Sequence, residues 1–338
     1  MRLVTVPSMK IGQLATPALI VQRDKLTHNL EVMEHALPGR RLRPHVKAHK
    51  CTALATEQAA LGHTGFTCAT IAEMEGMAQA GLDDDLLLAN EVVDASRLGA
   101  LARSGSRITV AIDSDETIAA AYAAGVPEVL VDVNVGLPRC GCAPDDAGRL
   151  AEGAREMGLE VRGVMGYEGH ICGVVDRDRR IELLVPAMEL LLQAHRAVGG
   201  EIISAGGTGT YDINNQASEI QAGSYVLMDT AYGELDLPFV QALTIMATVI
   251  SVSKKWTVAD CGLKALGMDH GNPSVMGGKV LFCSDEHLVF VPDNPTKVGD
   301  KVTVIPAHVD PTVAYHQLLH VVDDEDVIES WPIDLRGW

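Results

Sequence analysis

The sequence predicts an α/β protein, a (β/α)8 TIM barrel followed by an antiparallel β domain. Three observations carry that expectation. From about residue 16 to 230, short β-rich runs alternate with amphipathic helical stretches, as in a parallel sheet wrapped by helices. Beyond about residue 240, runs of strand character follow one another across Gly, Pro and Asp turns with no convincing helix between them. No Gly-rich dinucleotide fingerprint follows the first strand, which counts against an open doubly wound sheet.

Taken in order, the strand candidates of the first region are 18–22, 42–47, 65–69, 86–89, 107–111, 128–134, 161–165, 201–204 and 224–229. That is one more than an eight-stranded barrel needs, so the first is expected to belong elsewhere. Leu26, Leu30, Met33 and Leu37 follow a helical period behind Asp24, a good N-cap. Further helices are expected at 52–61, 71–80, 115–124, 145–157 and 177–198. The strands of the second region read as 243–251, 256–259, 279–283, 287–291, 301–305, 318–322 and 327–331. The barrel is placed at residues 16–235 and the β domain at 236–338, joined by residues 1–15.

Composition bounds the partners. Of 338 residues, 47% are hydrophobic and 21% charged, enough to bury a large core. The 45 acidic against 27 basic residues leave a formal charge of −18, which argues against binding the phosphate backbone of nucleic acid. No apolar run approaches the roughly 20 residues of a membrane helix; the best, 240–253, carries Gln241, Thr244 and Thr248. Lys10, Pro17, Arg23 and Asp24 interrupt any secretory h-region, and the seven cysteines lack CxxC spacing. A reduced, cytoplasmic protein is expected.

Three constellations carry chemistry. In Arg43-Pro44-His45-Val46-Lys47-Ala48-His49-Lys50, a helix would set His45 and His49 one turn apart as metal ligands can be, whereas Pro44 and its β-like neighbours favour a strand. In a strand, His45, Lys47 and His49 share one face. If that face points into a barrel, burial and cationic neighbours lower the basicity of Lys47, as an amine that attacks a carbonyl requires. A basic strand end reaching solvent is the bland alternative, and both stand on these residues alone. The second constellation, Ser204-Ala205-Gly206-Gly207-Thr208-Gly209-Thr210-Tyr211, is a loop whose backbone N–H groups and hydroxyls can converge on an anion. Ala222-Gly223-Ser224-Tyr225 is a second small-residue turn, and barrels commonly bind phosphate after their last two strands. The third is His308-Val309-Asp310, which on extended backbone projects an imidazole and a carboxylate to one side, fit for a divalent metal; a capping Asp beside a half-exposed His is the alternative. Arg139, in Val135-Gly136-Leu137-Pro138-Arg139-Cys140-Gly141, and Tyr167 with His170, in Gly166-Tyr167-Glu168-Gly169-His170, lie just past expected strands.

In their order along the chain, from the Arg43–Lys50 segment through Val135–Gly141, Gly206–Tyr211 and Ala222–Asp229 to His308-Val309-Asp310, the motifs resemble the D-threonine aldolase / D-serine dehydratase family of pyridoxal-phosphate (PLP) enzymes, over nearly the whole chain. Asp260–Ala265 and Cys283-Ser284-Asp285-Glu286-His287 are similar to segments of the same family. The resemblance implies the alanine-racemase-like fold, PLP fold type III, in which the start of the chain joins the C-terminal domain. It implies that Lys47 anchors the cofactor, that Arg139 faces its phenolic oxygen and Tyr167 its pyridine nitrogen, and that Thr208, Gly209, Gly223, Ser224 and Tyr225 hold its phosphate. His308 and Asp310 would bind the family's divalent metal. A dehydratase-type site carries His-x-Cys; Asp310 in the cysteine position suits Mn²⁺ or Mg²⁺ better than Zn²⁺ and favours the aldolase side.

The expected reaction is therefore cleavage of a D-threonine-like β-hydroxy-α-amino acid to glycine and an aldehyde, with metal-bound water or His170 as base. The alternatives are β-elimination from D-serine or 3-hydroxyaspartate, giving a keto acid and ammonia, and a non-catalytic cofactor-binding protein, which would not need His308 and Asp310. A homodimer with its site near the interface is implied by the same resemblance.

Overall fold

The computed structural model describes residues 9–338, which fall into two compact units. The expectation that the chain's first residues join the β domain lies, for residues 1–8, outside the described residues.

The α/β unit comprises Met33–Lys47, Leu54–Gly223 and Leu335–Trp338. Seven parallel strands pair in sequence order: Gly65–Cys68, Asp85–Leu88, Ile108–Ile112, Glu128–Asp132, Glu160–Gly166, Ile202–Ala205 and Glu219–Ile220. Asp85–Leu88, Ile108–Ile112 and Glu128–Asp132 are buried along their whole length, as strands covered on both faces are. Leu87, Ala111, Leu130, Met165 and Ile202 form one cluster across five of the seven. The intervening helices start where the sequence supplies caps. Thr70 and Glu73 form a capping box, Ser114 and Thr117 another, and Asp176 accepts the Arg179 N–H at the head of Arg177–Val198.

Two expected strands differ. Segment 42–47 makes only single parallel bridges, Leu42 to Ile220 and His45 to Thr67, then turns into a 3-10 helix at Val46–Ala48. Pro44 has no N–H to extend a ladder. Segment 224–229 is a 3-10 turn at Ser224–Val226, with the N–H groups of Leu227 and Met228 returning to the Ser224 carbonyl at 3.2 and 2.8 Å. Its apolar residues are buried in a turn instead of a ladder, and the last strand is the short Glu219–Ile220. Among the described residues seven regular parallel strands are present, one fewer than a complete TIM barrel. A helix at Ser96–Arg103, absent from the sequence-based expectation, fills the link after the Asp85–Leu88 strand.

The β unit comprises residues 9–32, Ala48–Ala53 and Ser224–Asp334. A ten-stranded, mostly antiparallel sheet closes on itself, because Leu243–Val252 pairs both with Thr257–Ala259 and with Lys301–Ile305. The first half of Leu243–Val252, on the edge opposite Lys301–Ile305, holds Ala18–Gln22, which also lies parallel to Leu318–Asp323. The surplus strand of the sequence thus belongs to this sheet. Beyond residue 240 one helix breaks the expected all-β pattern, Val309–Tyr315, with Pro311 inside its first turn where a missing N–H costs nothing.

Candidate active site

In the α/β unit the chemistry-bearing residues gather at the C-terminal ends of the strands. Lys47 stands in the 3-10 turn that follows the bridging segment, anchored by His45 N–H to the Ala222 carbonyl (3.1 Å) and by Thr67 N–H to the Pro44 carbonyl (2.9 Å). It is half-buried, with Nζ 5.9 Å from the centroid of the Tyr167 ring. Tyr167 directly follows the strand Glu160–Gly166. The Arg139 guanidinium carbon lies 5.3 Å from the centroid of the same ring, so a lysine and an arginine approach one aromatic ring within cation–π range. Asn134 shapes the loop that carries Arg139: its Oδ1 accepts the Gly136 N–H (2.9 Å) and its Nδ2 donates to the Leu137 carbonyl (3.0 Å). A Cβ on Gly136 would lie 3.0 Å from Cε1 and Nε2 of His170, so the exposed imidazole rests on this loop's backbone.

The Gly-rich loop is built from beneath by Glu168, which the sequence motifs do not single out. Its carboxylate is fully buried. Oε2 accepts the Gly206 N–H (3.1 Å), and Oε1 accepts from the Thr210 hydroxyl (2.9 Å) and the Asn214 amide (3.2 Å). Thr208 and Gly209 form the crest of this loop. A Cβ on Gly209 would overlap the Cys172 carbonyl oxygen, so only glycine lets the two backbones approach. Burial pushes the Cys172 thiol up to about 12, which leaves it an inert packing group. Gly223 follows Ala222, the residue hydrogen-bonded to His45.

The second cluster lies wholly in the β unit. His308 has extended backbone and caps the helix Val309–Tyr315, while Asp310 is already helical. The shared side of the pair therefore comes from a helix start, not from the extended segment expected. His308 Nε2 and Asp310 Oδ1 are 4.0 Å apart. Two ligands about 2.1 Å from one ion lie roughly 3 Å apart at a right angle and about 4.2 Å apart in line, so the pair can hold a divalent cation. Asp229 fixes the segment between them, accepting the Val309 N–H (2.9 Å) and the Tyr232 N–H (2.8 Å). Burial raises the Asp229 carboxyl above its ordinary range, while those N–H groups pull it back. The Ser224 hydroxyl donates to Asp310 Oδ1 at 3.3 Å. Tyr225 is fully buried, its ring 5.5 Å from that of Phe239.

Asp269 and His270 join this cluster unannounced by the sequence. Asp269 Oδ2 is 2.6 Å from His308 Nδ1, and the His270 ring stacks on His308 at 3.9 Å between centroids and 7° between planes. Asp269, His270 and His308 place ligand atoms within 4.8 Å of one another. The link is tertiary: Gly267 bridges antiparallel to His308, 41 residues away in sequence. Only the polar turn Gly267-Met268-Asp269-His270-Gly271 could have hinted at it.

The fold is of the alanine-racemase-like kind, and comparison with known proteins agrees. The alanine racemase N-terminal domain matches residues 21–231 and a serine dehydratase domain matches residues 242–322. The chain is 32% identical to a 3-hydroxy-D-aspartate aldolase of Paracoccus denitrificans (strain Pd 1222), aligning 98% of this chain and 94% of that protein. It is 33% identical to a D-threonine aldolase of an Arthrobacter species, over 98% and 95%. The crystal structure of D-threonine aldolase from Filomicrobium marinum superposes with a TM-score of 0.91 at 33% identity, covering 100% of this chain and 99% of that one. Alanine racemase from Corynebacterium glutamicum shares the fold, with a TM-score of 0.65 at 17% identity over 85% and 88%.

The chain belongs to the alanine-racemase-like family that contains the D-threonine and 3-hydroxy-D-aspartate aldolases. That family implies PLP and a divalent metal. The residues fit both groups: a lysine and an arginine flank one aromatic ring beside a loop that tolerates no side chain at Gly209, and an imidazole faces a carboxylate at ion-binding separation.

Proposed function

We propose that this protein is a lyase that cleaves D-configured β-hydroxy-α-amino acids to glycine and an aldehyde, using PLP and Mn²⁺ or Mg²⁺. When bound, the cofactor supplies an electron sink for the carbanion at Cα and the metal a Lewis acid for the β-hydroxyl. Lys47 anchors the cofactor through its amine. Arg139 faces the phenolic oxygen, and Tyr167 the pyridine nitrogen. Thr208, Gly209, Gly223 and Ser224 take the phosphate, with Tyr225 supporting that turn from the core. His308 and Asp310 hold the metal. His170 accepts the hydroxyl proton at the mouth of the Val135–Arg139 loop.

The observation that carries the aldolase reading is Asp310. A carboxylate oxygen faces His308 Nε2 at 4.0 Å, and this hard donor suits Mn²⁺ or Mg²⁺ where a thiolate in its place would select Zn²⁺. In the finer fold reading, segment 42–45 closes an eight-stranded ring between the Glu219–Ile220 and Gly65–Cys68 edges, supported by its two parallel bridges. Residues 16–235 then form the cofactor domain and the remainder the metal-bearing domain. The enzyme is proposed to act as a cytoplasmic homodimer, which sedimentation would check.

The test is product analysis on D-threonine, D-phenylserine and D-3-hydroxyaspartate, before and after metal stripping. Glycine and an aldehyde that vanish with chelator and return with Mn²⁺ are expected. A keto acid and ammonia would assign the elimination reaction, and undiminished activity in chelator would exclude the metal's role.

A further inference from the structure

Two ligand sets compete for an ion at His308. One pairs it with Asp310, the other with Asp269 and His270. Geometry separates them. An ion bound by an imidazole lies in the plane of the ring, along the nitrogen lone pair. The rings of His270 and His308 are parallel within 7° and stacked with centroids 3.9 Å apart, so an ion about 2.1 Å from a nitrogen of one lies well outside the plane of the other. His270 and His308 cannot both ligate it. Asp269 Oδ2 lies 2.6 Å from His308 Nδ1, a charge-assisted hydrogen-bond distance and shorter than the roughly 3 Å that separates two ligand atoms at right angles on one ion.

We infer that Asp269 is a positioning residue for the metal. By accepting the His308 Nδ1–H it fixes the tautomer that leaves the Nε2 lone pair free for the ion, on the side where Asp310 waits. Carboxylate partners of this kind orient and strengthen histidine ligands. Both sides of the arrangement are held by backbone. Gly267 pairs with His308, its N–H donates to the Thr312 hydroxyl (2.8 Å), and that hydroxyl donates to the His308 carbonyl (2.6 Å). A Cβ on Gly267 would overlap Pro311, so glycine is what allows the Asp269 segment to close on the metal helix. Asp229 holds the following peptide through Val309 N–H. His308 is thus fixed through its backbone by Thr312 and Asp229 and through its ring by Asp269.

The inference rests on the metal role proposed above for His308 and Asp310, and its test separates the two. Metal-stripped, cofactor-loaded protein is titrated with Mn²⁺ alone, and free ion is read by electron paramagnetic resonance. Asp269 is 55% exposed at its side chain, so its replacement should leave thermal stability and cofactor absorbance unchanged. Asp269→Ala is expected to weaken Mn²⁺ binding about 10–100-fold. Asp269→Asn, whose amide oxygen still accepts the Nδ1–H without charge, should fall between it and wild type. His270→Ala should bind as wild type does, and Asp310→Ala should bind far more weakly. Wild-type affinity in Asp269→Ala would overturn the positioning role. Weakening by His270→Ala with Asp310→Ala unaffected would move the ion to the other set and overturn it as well. Failure of the wild type to bind Mn²⁺ would instead refute the proposed metal site itself.

Discussion

The two ends of the parallel strands in the α/β unit treat charge in opposite ways. At the N-terminal ends buried charges neutralise one another: Arg43 pairs with Glu219 (2.7 Å) and Asp85 (3.0 Å), and Arg162 with Asp85 (2.7 Å) and Glu128 (3.2 Å). Arg43, Asp85, Arg162 and Glu219 line a cavity of about 180 Å³ whose lining also includes Arg40 and Glu201. Although burial alone would raise the Asp85 carboxyl, the Arg162 and Arg43 guanidiniums hold it well below the ordinary carboxylate range. At the C-terminal ends, two cations approach an aromatic ring, and a loop of glycines and threonines stands beside them. The first arrangement consumes its charges internally and reads as stability. The second sets cations and donors at the end of the strands where barrel-like folds carry their active sites, the end proposed above to hold the cofactor.

If that contrast holds, Lys47→Ala should destroy function and spare the fold. Activity should drop by about three orders of magnitude or more, and the visible absorbance of the lysine-bound cofactor should vanish. The urea midpoint should stay close to wild type. Lys50, past the turn and at φ 48°, is the control. Loss of the band in Lys50→Ala with retention in Lys47→Ala would reassign the anchor.

The opposite perturbation belongs at the other end. Asp85→Asn leaves two buried guanidiniums short of charge and should cost about 3–5 kcal/mol in urea unfolding, with turnover of the folded fraction unchanged. The pH dependence has a definite sign. The folded carboxyl titrates below its unfolded value, so its stabilisation is complete above about pH 4 and is lost as pH falls toward the folded pKa. The acid limb of the wild-type stability curve should therefore be steeper than that of Asp85→Asn. Equal limbs would mean that the network contributes nothing through this group.

These regions were not equally legible in the sequence. Local pattern exposed most strands and helices, and 301–305 is matched to the residue, because alternation and turn residues are local signals. Lys47, Arg139, Tyr167 and the Gly-rich loop stood out because their chemistry is packed into short motifs past strands. The misses share one cause, which is dependence on distant partners. Segments 42–47 and 224–229 have strand-like composition, but Pro44 and the Ser224 turn give their backbones other hydrogen bonds. Asp269 and His270 mean nothing until Gly267 pairs with His308. Glu168 hid in plain view, as one acidic residue whose three partners lie 38 to 46 positions downstream.

Glu168 also offers the finest test of the contrast, because its buried side chain supports the Gly-rich loop without facing solvent. Glu168→Gln keeps the volume and one acceptor oxygen but replaces the other with a donor. The Gly206 N–H and the Asn214 amide can only donate, whereas the Thr210 hydroxyl can turn. At least one buried donor then loses its acceptor, at a cost of about 1–3 kcal/mol. Because Gly206 and Thr210 bracket Thr208 and Gly209, part of that cost should appear as looser cofactor binding. A share of about 1.4 kcal/mol would be a tenfold rise in the dissociation constant. Titrating PLP into apoprotein and following the lysine-bound absorbance measures it. Wild-type affinity combined with a lowered unfolding midpoint would show that the loop holds its shape unaided, placing Glu168 with the stabilising charges of the opposite end.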